Sequence, residues 1–370
     1  MTVSVEHAEF PQHDVASGMS IAHHAHHAHH APDTNLSQLT AAAAATQADV
    51  YTIGADPSLE YWRWLAQTPR TSYTQVIVPG AGHQAILYAR IAAALAANGI
   101  TTIVLNLRGH GGSTLRTHQP LRKVRLADYV ADVRTVIEDA QRRWGGIDQQ
   151  TVLLGHSLGS FVAFGYAERY AVGGLIALGG PAPHCWMSTY GRAFLWMIAH
   201  HPLLVPEMMA WNPGAMFKTA QLRADLLLST QTHPEYVSQV VTEELSQWVM
   251  KREAAGIATD IRAYARRGYA PVVTQRVLFL CGKDDWFFSQ SCVRESAAAY
   301  SSALFPNGQA VFVDGPHNVM QAGDWPGAAH AIAAFIDSLP ASPAIPVIPG
   351  TSVTPATAVP ASTMQPPVER

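Results

Sequence analysis

A serine flanked by glycines lies near the middle of this 370-residue chain, where an apolar stretch ends and a helix-forming stretch begins. The motif is Gly155-His156-Ser157-Leu158-Gly159. A serine at the tip of a sharp strand-to-helix turn has a strained backbone, and glycines two positions away on each side leave room for the neighbouring strand and helix. Such a nucleophile elbow holds the hydroxyl out toward a substrate. The spacing therefore predicts a nucleophilic Ser157, and the alternative is an ordinary turn with an idle serine.

A serine hydroxyl is a poor nucleophile at neutral pH unless a base takes its proton and a third group orients that base. Two later segments, each directly after a predicted strand, supply candidates: Gly282-Lys283-Asp284-Asp285 and Asp314-Gly315-Pro316-His317. Strand ends on this edge are where open α/β sheets place their sites. We therefore predict a triad of Ser157, Asp285 and His317, with Asp284 as the rival acid.

Other histidines fit the role of base less well. His156 flanks the nucleophile but cannot readily turn back onto it, and His330 falls inside the last predicted helix. For both, a packed or surface position is expected. A loop histidine without a catalytic role is the alternative for His317, and its joint occurrence with Ser157 and Asp285 favours catalysis.

Negative charge that develops on a carbonyl oxygen needs backbone N–H donors aimed at it. One donor is expected from Leu158, directly after the nucleophile. The other is expected from the loop after the third predicted strand, where Gly80-Ala81-Gly82 lets the backbone approach a ligand closely, and we place it at Ala81. A simple glycine turn is the alternative for that loop.

The elements that must position these residues are short apolar strands that alternate with helical segments, after an antiparallel hairpin over about 50–65. This alternation predicts an α/β fold with a mostly parallel sheet and helices on both faces. Between Pro181 and about Thr274 it lapses into helical sequence rich in Met and Trp, which predicts an inserted cap. The resulting divisions are a disordered leader rich in His and Ala (1–48), a first part of the core (49–180), the cap (181–274), a second part of the core (275–339) and a disordered Pro-rich tail (340–370).

The leader carries a His-rich tract. In a helix, His23, His26, His27 and His30 would share one face, which could bind a transition metal. No carboxylate or thiolate partner accompanies them, so low-complexity sequence is the preferred interpretation. We expect neither a metal nor a cofactor.

Composition argues against several other classes of protein. A formal net charge of −3 without a cluster of Lys and Arg disfavours nucleic acid as a partner. Three widely spaced cysteines indicate neither a disulfide framework nor a thiolate zinc site and fit a reducing compartment. No Lys or Arg precedes Arg63, and the most apolar stretch, 193–211, is interrupted by prolines and a glutamate. We therefore expect a cytoplasmic protein without an integral membrane span.

Taken together, these segments resemble the α/β-hydrolase superfamily, and within it they are most similar to the monoacylglycerol lipase and lysophospholipase group of serine hydrolases. The matching residues are Pro79–Gly82, Tyr88, Ala89, Leu95–Gly99, Leu107–Ser113, Gly155–Gly159, Gly282–Asp285 and Gly315–His317. The triad order serine, acid, histidine is that of the superfamily. The third position after Gly282 is the usual place of its acid, which favours Asp285. Pro79 stands where the family usually has His, and Asn106 where it usually has Asp.

The resemblance implies hydrolysis of a small-molecule carboxylic ester through an acyl-enzyme. Ser157 would attack the carbonyl carbon, His317 would pass the proton to the leaving alcohol, and Asp285 would orient His317. The Met- and Trp-rich cap favours an apolar acyl group, because such side chains line adaptable apolar pockets.

Two other interpretations remain open. The same triad could hydrolyse a thioester, a lactone, an amide or a carbon–carbon bond, or it could carry out cofactor-free perhydrolysis. The alternative from another class is a non-catalytic ligand-binding member of the fold, and the presence of all three triad residues argues against it. Epoxide hydrolases and haloalkane dehalogenases are disfavoured because they use an aspartate where this chain has Ser157.

Overall fold

The computed structural model describes residues 48–145, 150–182, 254–265, 275–285, 288–302, 305–306, 308–320 and 324–340, together with Trp196 and His200. The predicted leader, apart from its last residue, and the predicted tail, apart from its first, lie outside the described residues. So does most of the predicted cap.

An eight-stranded sheet forms the centre of the fold, in the order β1-β2-β4-β3-β5-β6-β7-β10. The six strands from β4 to β10 in this order run parallel, and β2 pairs antiparallel with both β1 and β4. The short strands β8 and β9 pair separately. The bounds are β1 Asp49–Ile53, β2 Leu59–Trp64, β3 Thr74–Val78, β4 Thr102–Leu105, β5 Thr151–His156, β6 Gly174–Leu178, β7 Val277–Gly282, β8 Ser301–Ser302, β9 Phe305–Pro306 and β10 Gly308–Val313. The predicted α/β fold with a mostly parallel sheet is confirmed.

The strand sequences account for this arrangement. In the predicted hairpin of β1 and β2, Asp49 pairs with Arg63 and Ile53 with Leu59. Strand β2 mixes buried and partly exposed positions, as expected near the edge of the sheet. By contrast, every residue of β5, β6 and β7 is buried, because helices cover both faces of these parallel strands.

Helices pack on both faces of the sheet. The helices α1 and α6 belong to one apolar core, and α2, α3, α4 and α5 contribute to the other. Their bounds are α1 Ala89–Ala97, α2 Leu126–Trp144, α3 Leu158–Ala167, α4 Ala254–Ala265, α5 Gln290–Ala299 and α6 Trp325–Asp337, with 3-10 turns at Ala85–Tyr88 and Leu121–Lys123. None of these described helices is both long and apolar enough to span a bilayer.

The spacing of apolar residues in the sequence predicts a helix from Gln84 to Ala97. In the structure this segment begins as a 3-10 turn and becomes α-helical only at Ala89. The side-chain oxygen of Asn106 accepts the backbone N–H of Ala85 at 2.7 Å, so a residue from the end of β4 supplies an acceptor for the first turn. This turn places Tyr88 close to the end of β3, where its hydroxyl accepts the N–H of Gly80 at 2.9 Å.

Helix α4, the longest described segment of the predicted cap, is anchored on the core at the start of α2. The carboxylate of Asp260 accepts the backbone N–H of Leu126 at 2.9 Å and forms an ion pair with Arg125. A carboxylate at this position satisfies a helix N–H that has no acceptor within its own helix and opposes the helix dipole.

Arg108 ties the loop after β4 to helix α2. Its side chain is 1 % exposed, and its Nε lies 3.0 Å from both carboxylate oxygens of the equally buried Asp132. The same guanidinium also donates to the backbone oxygen of Asp128 at 3.0 Å. A buried charge is tolerated because a partner of opposite charge and hydrogen bonds compensate for its lost hydration. The pair therefore fixes the loop that follows β4.

Replacing one partner of this buried pair should destabilise the protein strongly. Asp132→Ala leaves the buried guanidinium of Arg108 without its main partner, and we expect the free energy of unfolding to fall by about 3–5 kcal/mol. Glu138→Ala is the matched control, since Glu138 pairs with Arg134 on the exposed side of the same helix; such pairs contribute about 1 kcal/mol or less. Denaturant unfolding measures both variants, and equal losses would contradict the role given to Arg108.

Candidate active site

The predicted nucleophile, Ser157, lies between β5 and α3 with φ 51° and ψ −115°. Non-glycine residues rarely adopt a positive φ, so the backbone is strained at this position. The N–H of Ser157 donates to the carbonyl oxygen of Leu178 at the end of β6, at 2.9 Å, and its own carbonyl accepts the N–H of Ser160 at 3.0 Å. Both neighbours hold the turn in place, and the serine is partly exposed.

Close packing explains the glycines on each side of the serine. A Cβ atom built on Gly155 would overlap the carbonyl oxygen of Gly159, and one built on Gly159 would overlap the carbonyl oxygen of Val78. Since Val78 is the last residue of β3, the start of α3 lies directly against the end of that strand. Only glycine permits this approach.

His317 and Asp285 lie together in the loops after β10 and β7. The Nδ1 of His317 is 2.8 Å from Oδ2 of Asp285, and the two residues are 5 % and 8 % exposed. The other carboxylate oxygen accepts the N–H of Phe288 at 3.0 Å. Asp284, the rival acid, is exposed to solvent. The structure thus brings Asp285 to His317 as the sequence predicted.

The ring of His317 packs against the end of β6, the strand whose last residue also binds the backbone N–H of Ser157. A Cβ atom built on Gly179 would lie 3.2 Å from both Nδ1 and Cε1 of His317. Gly179 directly follows Leu178, which accepts the N–H of Ser157. Ser157 and His317 are therefore both packed against the carboxyl end of β6.

The two predicted oxyanion donors flank Ser157. Leu158 is the first residue of α3, and N–H groups at a helix start have no acceptor within the helix. Ala81 belongs to the loop after β3, and a Cβ built on the neighbouring Gly80 would lie only 3.3 Å from Cβ of Ser157. The loop that carries Ala81 thus lies directly against the nucleophile.

Several residues beside the predicted triad were not assigned a role from the sequence. Tyr88 is fully buried and its hydroxyl lies 2.9 Å from Nδ1 of His156 and 3.0 Å from Nδ1 of His83. His156, predicted to be packed or at the surface, is fully buried, and its ring centroid is 5.0 Å from that of His317. Burial and the proximity of His317 lower the pKa of His83 to about 3 and that of His156 well below its usual value. Both rings are therefore neutral at physiological pH. The only sequence signal for these contacts was the position of Tyr88 among the residues that match the family.

The thiol of Cys281 lies beside the carboxylate of Asp285. Its Sγ is 3.4 Å from Oδ2 of Asp285, the same oxygen that faces His317. Burial, followed by the nearby Asp285 carboxylate, raises the pKa of this thiol well above its usual value. The group is therefore a neutral, weak donor toward the carboxylate.

The side chain of Asn106 explains one of the two departures from the family pattern. Its amide nitrogen donates to Oε1 of Glu60 at 2.6 Å, while its amide oxygen accepts the N–H of Ala85. An aspartate at position 106 would set a second carboxylate against Glu60. The amide is therefore the residue type that suits this contact.

Among the described residues, no group of three or more His, Cys, Asp or Glu side chains is arranged to hold a metal ion. The His-rich tract lies outside them. The arrangement at the sheet edge is a serine in a strained turn and a histidine with a buried carboxylate partner, beside the two segments that carry the predicted backbone donors. Such groups can carry out nucleophilic and general acid–base chemistry.

Solved structures with the same fold include proteins with different reactions. E-2-(acetamidomethylene)succinate hydrolase is 18 % identical, with a TM-score of 0.54, over 79 % of this chain and 100 % of that one. An esterase from Exiguobacterium antarcticum is 16 % identical, with a TM-score of 0.54, over 76 % and 96 %. A laboratory-evolved variant of potato epoxide hydrolase is 14 % identical, with a TM-score of 0.57, over 79 % and 99 %. At these identities the likeness concerns the fold alone.

The sequence itself matches a family of this fold. A sequence model of the hydrolase family described as serine aminopeptidase, S33, matches residues 70–315, which include the elbow, Asp285 and most of the sheet. This match spans well over half of the chain, and the strand order and elbow agree with it. The chain therefore belongs to the S33 hydrolase family and has the α/β-hydrolase fold.

Proposed function

We propose that the protein is a serine hydrolase that cleaves the carboxylic ester of an apolar acyl group, with Ser157, His317 and Asp285 as its triad. The observation that carries the proposal is the 2.8 Å contact between His317 and the buried Asp285, next to a serine in a strained turn. A histidine and a carboxylate in contact can have a purely structural role. The same pair next to a serine in a strained turn provides the base, the orienting acid and the nucleophile that acyl transfer requires.

The first half of the reaction forms an acyl-enzyme. His317 takes the proton of the Ser157 hydroxyl at Nε2 as the oxygen attacks the ester carbonyl carbon. Asp285 accepts a hydrogen bond from Nδ1, which fixes the tautomer and stabilises the imidazolium ion. The tetrahedral intermediate then collapses as His317 gives the proton to the leaving alcohol.

The second half reverses these roles with water. His317 deprotonates a water molecule that attacks the acyl carbon, and the proton returns to Ser157 as the acid leaves. In both halves the backbone N–H groups of Leu158 and Ala81 would stabilise the negative oxygen. Removing one such donor typically costs about 10²–10³-fold in kcat.

The proposal also covers the subgroup of enzymes, the type of acyl group and the cellular compartment. Membership of the monoacylglycerol lipase and lysophospholipase group is supported by the segments that resemble it in the sequence. An apolar acyl group is supported by the Met- and Trp-rich predicted cap. A reducing, cytoplasmic setting is supported by the cysteines of the sequence, which are three in number and widely spaced.

A fluorophosphonate probe should label the protein at Ser157. The probe phosphonylates an activated serine, so Ser157→Ala should abolish labelling, while Ser160→Ala, three residues further in α3, should leave the labelled residue unchanged. Peptide mass spectrometry identifies the labelled residue. A folded wild-type protein that is not labelled would favour a ligand-binding member of the fold.

Substituting the two neighbouring aspartates separates the proposed acid from its rival. Asp285→Asn removes the carboxylate that orients His317, and we expect kcat to fall on the order of 10⁴-fold with the fold retained. Asp284→Asn changes an exposed neighbour in the same way and should leave kcat within about twofold of wild type. Steady-state hydrolysis of one ester measures both variants, and the reverse ranking would exclude Asp285 as the acid.

A substrate panel tests the ester assignment. It contains p-nitrophenyl esters of increasing acyl length, matched thioesters, lactones and amides, and aminoacyl amides because the matched family is described by an aminopeptidase. We expect esters to give the highest kcat/KM, rising with acyl length as each buried CH₂ contributes up to about 0.8 kcal/mol. If thioesters, lactones or amides were preferred over every ester, the esterase proposal would be wrong even though Ser157 reacts.

A further inference from the structure

A buried set of polar side chains connects three parts of the candidate site: the loop after β3, the elbow at Ser157 and the loop after β10. The hydroxyl oxygen of Tyr88 accepts the N–H of Gly80 at 2.9 Å, and it lies within 3.0 Å of one nitrogen from each of His83 and His156. The other ring nitrogen of His156, Nε2, is 3.3 Å from the backbone oxygen of His317. Tyr88 and His156 are fully buried, and His83 is 5 % exposed.

The positions of the protons in this set follow from the chemistry of each group. A carbonyl oxygen only accepts, so Nε2 of His156 must carry the proton in its contact with His317. Since the neutral ring holds a single proton, Nδ1 of His156 accepts the hydroxyl proton of Tyr88. That proton is the only one the phenol has, so Nδ1 of His83 must donate to the phenol oxygen.

This ordering uses the hydrogen-bonding capacity of the phenol fully. Its oxygen accepts from Gly80 and His83 and donates to His156, which accounts for both lone pairs and its proton. The stacked rings of His83 and His156, with centroids 5.2 Å apart, hold the two nitrogens on the same hydroxyl. The three groups therefore have one consistent arrangement of protons.

The contact with Gly80 also fixes the direction of the proposed oxyanion donor. The N–H of Gly80 is held by Tyr88, and its carbonyl oxygen accepts the backbone N–H of His83 at 3.1 Å. A trans peptide unit is planar, so the N–H of Ala81 points opposite to the carbonyl of Gly80. A Cβ on Gly80 would lie 2.9 Å from Nδ1 of His156, so the loop also packs directly on the ring.

We propose that Tyr88 is a positioning residue for catalysis. Its hydroxyl links the loop that carries Ala81 to His156, the residue before Ser157, and through His156 to the backbone of His317. The inference rests on the proposed function, because it concerns the geometry of the same site. Tyr88 touches none of the reacting atoms. It acts by holding the Ala81 N–H, the elbow and His317 in a fixed relation.

The test compares two variants, each of which replaces one buried tyrosine by phenylalanine and so removes one hydroxyl group. Tyr88→Phe removes the hydroxyl that joins Gly80, His83 and His156. We expect kcat for p-nitrophenyl butyrate to fall about 10- to 100-fold while KM changes less than about threefold. The reason is that the Ala81 N–H acts mainly in the transition state. Tyr61→Phe is the control, because Tyr61 is fully buried and donates to Asp139 at 2.7 Å, between β2 and α2. It should lower the melting temperature and leave kcat within about twofold.

The order of the protons can be measured in the wild-type protein, which keeps the test independent of how well the variants fold. Histidine ¹⁵N NMR should identify His156 as the Nε2–H tautomer and His83 as the Nδ1–H tautomer. The opposite tautomer of His156 would overturn the chain of hydrogen bonds. An equal kcat for Tyr88→Phe and Tyr61→Phe would overturn the positioning role.

These outcomes differ from a failure of the proposed function. If the wild-type protein were neither labelled at Ser157 nor active on any ester, the serine hydrolase proposal itself would fail. If wild type were active and labelled while Tyr88→Phe kept full kcat, only the role of Tyr88 would be wrong.

Discussion

The candidate site depends on how closely the backbone of the elbow packs against the end of β3. The carbonyl oxygen of Val78 occupies the space that a side chain at position 159 would need. Helix α3 begins immediately after Ser157, whose φ is 51°. A conformation of this kind costs on the order of 1–3 kcal/mol and persists only where the surrounding structure determines it. The same contact also fixes the loop after β3 relative to the serine.

The environment of the proposed acid, Asp285, is as specific as that of the proposed nucleophile. Asp285 receives hydrogen bonds from the backbone of Phe288, from His317 and from the thiol of Cys281. The thiol is a neutral donor, so it satisfies a lone pair of the carboxylate without adding a positive charge that would compete with His317. The carboxylate is thus held in place while its charge remains available to the imidazole.

The sequence predicted the fold and the contact between His317 and Asp285 because both follow from local patterns. Apolar runs separated by helical segments indicate parallel strands, and the residues after those runs must meet at one edge of the sheet. Asp284 and Asp285 differ by one position in the sequence, and it is Asp285 that contacts His317, as expected. A residue that follows a strand directly is placed by the strand itself.

The contacts of Tyr88 could not be predicted in this way. Its partners His83 and His156 are 5 and 68 positions away, and their approach depends on a 3-10 turn where the apolar periodicity predicted a helix. That turn also depends on the side chain of Asn106, which directly follows β4. Hydrogen bonds between side chains on different elements leave no periodic trace in a sequence. The proposed apolar substrate rests on the composition of the predicted cap, and composition does not specify the shape of a pocket.

The direct pairing of β6 with β7 determines how the two parts of the predicted core are joined. Leu175 pairs with Val277 and Leu178 with Leu280, so the register of the two strands is set by their own hydrogen bonds, although about 100 residues separate them in the chain. The chain leaves the sheet beside Ser157 and returns to the adjacent strand, with Asp260 anchoring the returning segment on α2. The sheet thus closes through its own strand pairs, and the sequence between β6 and β7 is tied to the core through α4.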